Sequence, residues 1–223
     1  MRAGCLGQTG PTMPKRSGDG HRTKSVQVDL TRFRSVDDAV RQANEVSKKF
    51  KELAKQVILA DPGNISPLPL FLLSAIARAN GLHIATINAI ETTNPHAAIS
   101  LIRSYADVVV TTLYVRDHPD YVEALWDRRQ NAKKRRRSIG ALVTAVTPYA
   151  AGARAVYDEL SEGTHFGAVA MWAAWTFKDG KTLSYTTHPR WRNPERQPFV
   201  IAGWLIELGD AFIETVESTV AHT

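Results

Sequence analysis

Residues 93–116 read TNPHAAISLIRSYADVVVTTLYVR. Asn94 before Pro95 is a helix start. The Asn side chain can accept from free N–H groups of the first turn, and proline's fixed φ suits a position that needs no N–H. From Pro95 to about Arg116 the apolar residues Ile99, Ile102, Tyr105, Val109 and Leu113 recur at helical spacing. The segment therefore predicts a helix buried among others. Two charges interrupt it, Arg103 and Asp107. They lie one turn apart and can pair. A buried charge is costly unless paired, so the couple is expected to face itself or a polar pocket.

Toward the N-terminus, Thr92 ends a second apolar helix from about Leu70, with Gly81 inside it as the place for a kink or a close helix contact. Before that, Ser35 and Asp38 form a capping-box variant. The helix they open is predicted to reach about Leu59, burying Val36, Val40, Val46, Phe50, Leu53 and Val57, until Asp61-Pro62-Gly63-Asn64 stops it. Residues 1–24 are rich in Gly and charge, with little to bury, and read as a disordered basic tail.

Toward the C-terminus, a helix over 119–137 begins amphipathic and ends as a basic run. Ser138-Ile139-Gly140 reads as a hinge, and another helix covers about Ala151 to Glu162 with Gly163 as its C-cap. The period then changes. Met171–Phe177 and Leu183–Thr187 flank Lys178-Asp179-Gly180-Lys181, a hairpin signal, and Trp172, Trp175, Phe177 and Tyr185 are its expected core. A last helix from about Phe199 to Thr219 aligns Ile201, Trp204, Leu205, Leu208, Phe212 and Val216. The fold class expected is mainly all-α: an antiparallel bundle of five to six helices with a small β-hairpin (171–187) before the last helix, forming a single domain over 25–223.

The 223 residues are 43% hydrophobic and 22% charged, a globular composition that excludes collagen-like and wholly disordered classes. The net charge is +6, unevenly spread. Residues 128–137, RRQNAKKRRR, carry seven basic residues and no acid; residues 1–24 contribute +4, leaving the rest at −5. A uniformly basic face is thereby excluded, whereas a local basic patch is not. The lone Cys5 can form no internal disulfide, and the seven His lack metal-ligand spacing, so no metal or cofactor is expected. The longest apolar runs, 68–77 and 166–177, are short for a bilayer, and no secretory signal is evident. A cytoplasmic location without membrane association is expected.

The most specific local patterns are Leu101-x-Arg103-x-x-x-Asp107 and Tyr157-x-x-Leu160-Ser161-x-x-x-His165. In this order, followed by a final amphipathic helix, they resemble a family of uncharacterised bacterial helical proteins related to the HEPN superfamily, over residues 36–220. The family pattern has Glu where this chain has Asp107. The resemblance implies a helical bundle, a homodimer, and in many members a metal-independent ribonuclease of toxin–antitoxin or phage-defence systems; other members only bind. Ribonuclease members carry Arg, four to six residues, then His, on a late helix. Here that spacing occurs at Arg16/His21 in the tail and Arg78/His83 on the second helix.

Two functions follow as expectations. In the first the protein acts on or binds RNA. His165 shuttles a proton, Arg103 stabilises charge on a phosphorane, and Asp107 orients Arg103. Arg128, Arg129, Lys133, Lys134, Arg135, Arg136 and Arg137 grip RNA phosphates. In the second the protein is a noncatalytic helical interaction module, and Arg103, Asp107 and His165 form a polar tie within the bundle.

Overall fold

The computed structural model describes residues 29–60, 62–63, 66–127, 136–148, 150, 152–165, 174–178, 182–188 and 190–222. The expected tail, residues 1–24, lies outside them.

A 3-10 turn (Leu30–Arg32) leads into α1 (Val36–Ala60). Ser35 Oγ accepts from the Asp38 N–H at 3.1 Å, and the Asp38 carboxylate accepts from the Arg34 N–H at 3.0 Å. This is the capping box with its return bond displaced by one residue. Of the predicted face, Val40, Val46, Phe50, Leu53 and Val57 are buried, while Val36 is half-buried. Helix α2 (Pro67–Glu91) starts three residues earlier than expected. Ser66 is extended, Pro67 opens the helix, and Pro69 falls within the first turn, where no N–H is required. Gly81 makes no close contact, since a Cβ there would meet nothing within 4 Å. The Asn94-Pro95 start is as read: α3 (Pro95–Asp117) is capped by Asn94 Oδ1, which accepts from the Ala97 N–H at 3.1 Å.

Of the helix expected over 119–137, the described part is α4 (Tyr121–Trp126), which ends where Asp127 turns to extended backbone; residues 128–135 lie outside the described residues. Arg136 returns to this helix end. Its guanidinium donates to the carbonyls of Ala124, Leu125 and Asp127, each at 2.9 Å. A cation on the last carbonyls of a helix satisfies groups that have no partner within it. The Ser138 segment is a helix start and not a hinge: Ser138 Oγ caps α5 (Ile139–Val146) by accepting from Ala141. Helix α6 (Ala153–Thr164) begins after Gly152, which holds φ +87°. It also runs through Gly163, so that residue is not its cap. A Cβ at Gly163 would stand 2.8 Å from Ile99 Cγ2; glycine there lets α6 lie close to α3.

Strands β1 (Trp175–Lys178) and β2 (Thr182–Tyr185) pair antiparallel, with Trp175 opposite Tyr185. The rings of that pair lie 5.1 Å apart. Both are exposed, so they form a cross-strand pair and not a hairpin core. Trp172 and the Phe177 side chain lie outside what is described. Helix α7 (Gln197–Ala221) closes the fold, burying Ile201, Trp204, Leu205, Phe212 and Val216.

The architecture is an antiparallel, all-α bundle. Helices α1, α2, α3 and α7 share one core. A smaller core joins the C-terminal half of α3 to α4 and α5 through Val110, Tyr114, Val115, Val122, Leu142 and Val143. Helices α2 and α3 are each long and apolar enough to cross a membrane by length and mean hydropathy, although their uninterrupted apolar runs are short. Packing buries 56% of that stretch in α3 but only 39% in α2, where Ala77, Gly81 and Ile84 are exposed.

His83 sits in the main core with no exposed surface. Its Nε2–H donates to the Ala43 carbonyl at 2.9 Å, and its ring packs edge-on against Phe50 and Tyr105. Burial pushes its pKa below the ordinary 6.5, against the opposing Ala43 carbonyl and Asp210 charge. Below pH 6.5 the unfolded chain binds a proton that the folded chain refuses. This part of the stability is complete above that pH and is lost as pH falls toward the folded value. The expected result is a lower melting temperature at about pH 5.5 than at about pH 7.5. In His83→Phe the difference shrinks. Identical pH profiles for the two proteins would refute it.

Candidate functional site: a buried arginine joining two helices

The two patterns singled out in the sequence meet. Arg103 projects from α3 toward α6, and its side chain is only 13% exposed. Its Nε–H donates to Ser161 Oγ at 3.0 Å. One terminal nitrogen donates to the Asp107 carboxylate and the other to the Tyr157 hydroxyl. The guanidinium also lies over the Tyr157 ring, 3.7 Å from its centroid. Local sequence explains this convergence. Arg103 and Asp107 are one turn apart on α3, and Tyr157 and Ser161 one turn apart on α6, so each helix offers two polar groups on one stripe. Leu160, beside Ser161, is 1% exposed and anchors that face of α6 in the core.

The charges are balanced within this knot. Burial raises the Asp107 pKa, while the guanidinium of Arg103 and the more distant one of Arg78 act against it. All three kinds of guanidinium nitrogen are committed to protein acceptors. Such an arginine uses its planar fork to reach three separate acceptors and hold two helices in register.

His165 does not join the knot. It is the C-cap of α6, its backbone N–H bonds to the Ser161 carbonyl, and its side chain is exposed. Among the described residues no hydrogen bond or ion pair links its imidazole to Arg103 or Asp107. The expected trio therefore resolves into a bonded pair and a separate histidine. Tyr157 and Ser161 take its place beside Arg103; their spacing was the signal, and only the packing of α6 on α3 gives it meaning.

The second expected site is the basic run. Arg128, Arg129, Lys133, Lys134 and Arg135 lie outside the described residues. Arg136 is occupied by the α4 carbonyls. The Arg137 N–H donates to the Tyr121 hydroxyl at 2.9 Å, and its guanidinium sits over the Tyr114 ring at 5.2 Å. Both residues tie the returning chain to α4. Arg78 and His83 are also separated by the fold, one exposed and one wholly buried. Arg16 and His21 lie outside the description. Among the described residues no three His, Cys, Asp or Glu side chains come together as metal ligands would.

Beside the knot a cavity of about 240 Å³ opens between α3, α6 and α7. Tyr157 belongs to both, and Trp204 and Glu207 contribute to the cavity wall from α7. Neither α7 residue was expected to matter for function. Their signal is an acid, Glu207, set between Trp204 and Leu208 on an otherwise apolar face.

No family model, no curated protein and no solved structure matches this chain.

Proposed function

We propose that this protein is a noncatalytic helical binding module, in which Arg103 and Asp107 hold the bundle together. The observation that carries the reading is the engagement of Arg103 within the bundle. Each of its guanidinium nitrogens already donates to Ser161, Asp107 or Tyr157, and the side chain is only 13% exposed, so the group is turned into the bundle and not toward an incoming phosphate. Catalysis would also need a proton-transferring group within reach of the same atoms. His165 stands apart from Arg103 in its bonding.

A second reading keeps the HEPN-like, RNA-directed role. It is favoured by Arg78, an exposed guanidinium whose charge is felt at Asp107 and which forms no ion pair among the described residues. One experiment separates the two. Single-stranded RNA is incubated in EDTA with wild type, His165→Ala and Arg78→Ala, and RNA binding is followed against salt. The binding-module reading expects intact RNA in every lane and no salt-dependent association. Cleavage by wild type that disappears in His165→Ala would overturn it in favour of the ribonuclease.

A further inference from the structure

The cavity between α3, α6 and α7 has a composition that selects a ligand. Its α3 side is aliphatic, formed by Ala106, Val109, Val110 and Leu113. Two aromatic residues, Tyr157 and Trp204, also line it. Among the described residues the one acid or base in the lining is Glu207, and no lysine or arginine lines it. At about 240 Å³ it falls just below the roughly 300–1,000 Å³ of sites for drug-sized molecules. Its occupant is therefore small.

We propose that this cavity binds a small aromatic amine, with the ring against Tyr157 and Trp204 and the ammonium group at Glu207. Three features support the assignment. An apolar, partly aromatic wall favours a flat hydrocarbon body through area removed from water and through ring–ring contact. Glu207 is an exposed residue that also lines the cavity, and a single carboxylate there favours a cation through ion pairing and a charge-assisted hydrogen bond. The aromatic faces add attraction for an ammonium group. Glu207 forms no ion pair within 4.0 Å among the described residues, and Arg32 acts on it only from a distance. Burial raises the Glu207 pKa, as expected for a carboxylate held against apolar surface with no cation on it. An anionic ligand would meet Glu207 with like charge and is disfavoured. The inference does not rest on the reading above, since the cavity and its acid are the same whether or not the protein touches RNA.

The test uses three probes that share a phenyl ring on a two-carbon chain and differ in the polar end: 2-phenylethylamine, 2-phenylethanol and 3-phenylpropionate. Binding to the full chain is followed by ligand-observed NMR and by tryptophan fluorescence, in wild type, Glu207→Gln and Ala106→Phe. The expected order in wild type is amine, then alcohol, then acid, with the amine about tenfold tighter than the alcohol. In Glu207→Gln that preference falls to about twofold or less, while the alcohol binds as before. Ala106→Phe fills the cavity and abolishes binding of all three probes. Melting temperature and circular dichroism verify that each variant is folded. Three results would overturn the proposal: no probe binding to wild type, equal binding of amine and alcohol, or an amine preference that survives in Glu207→Gln.

Discussion

Arg103→Ala is expected to lower stability by about 2–4 kcal/mol, seen as a fall of roughly 5–15 °C in melting temperature for a domain of this size. The loss has two sources. The first is the set of hydrogen bonds from one guanidinium to Ser161, Asp107 and Tyr157, together with its stacking on the Tyr157 ring. The second is the Asp107 carboxylate, left where burial raises its pKa with only the remote Arg78 to offset it. That side chain is 39% exposed, so water screens the orphaned charge and this part is the smaller one. The control is Arg103→Ala with Asp107→Asn. Because the orphaned charge is then gone, the double variant should be more stable than the sum of the two single losses predicts. Arg103→Lys should recover little, since an ammonium cannot reproduce the planar fork that reaches three acceptors at once. Denaturant melts measure wild type, the three single variants and the double variant. A wild-type midpoint for Arg103→Ala would remove the structural role, and with it the main support for the noncatalytic reading.

The second large effect is at Gly209 on α7. A Cβ added there would lie 2.5 Å from Val46 Cγ1 of α1, 3.4 Å from the Tyr105 hydroxyl and 3.5 Å from His83 Cε1. The first distance cannot be tolerated, and Val46 cannot easily yield. It is 4% exposed, on a helix, and its β-branched side chain has essentially one rotamer there. Gly209→Ala is thus expected to push α1 and α7 apart and to cost about 2–4 kcal/mol, despite the better helix propensity of alanine. Val46→Ala should partly rescue it. Alone, Val46→Ala leaves a small cavity; beside Gly209→Ala it makes room for the new methyl group. The paired variants form a double-mutant cycle with a favourable coupling of about 1 kcal/mol or more. Strict additivity, or a stabilised Gly209→Ala, would show that the two helices are not held in contact at this point.

These two positions show how unevenly the sequence reports on the protein. The Asn94-Pro95 start, the Ser35 cap and the apolar faces of α1, α3 and α7 were legible, because each depends on neighbours within a turn or two. So was the pairing of Arg103 with Asp107. The short α4 was not legible. Helical periodicity persists toward the basic run, whereas Asp127 is extended and Arg136 returns to cap carbonyls nine to twelve residues earlier. Glycine roles were misassigned for a similar reason. Gly81 and Gly163 were read locally, as a contact and a cap. The close approaches are at Gly163 and Gly209, where another helix occupies the missing side chain's space.

By itself the sequence determined the fold class, the helix starts at Ser35 and Asn94-Pro95, and the polar stripes on α3 and α6, since helix periodicity and capping are short-range physics. Only the tertiary structure decided that Tyr157 and Ser161, and not His165, complete the arginine site, and that an acid-bearing cavity lies beside it. Which stripes face one another depends on the packing of whole helices through long-range contacts, and no local pattern of residues encodes that choice.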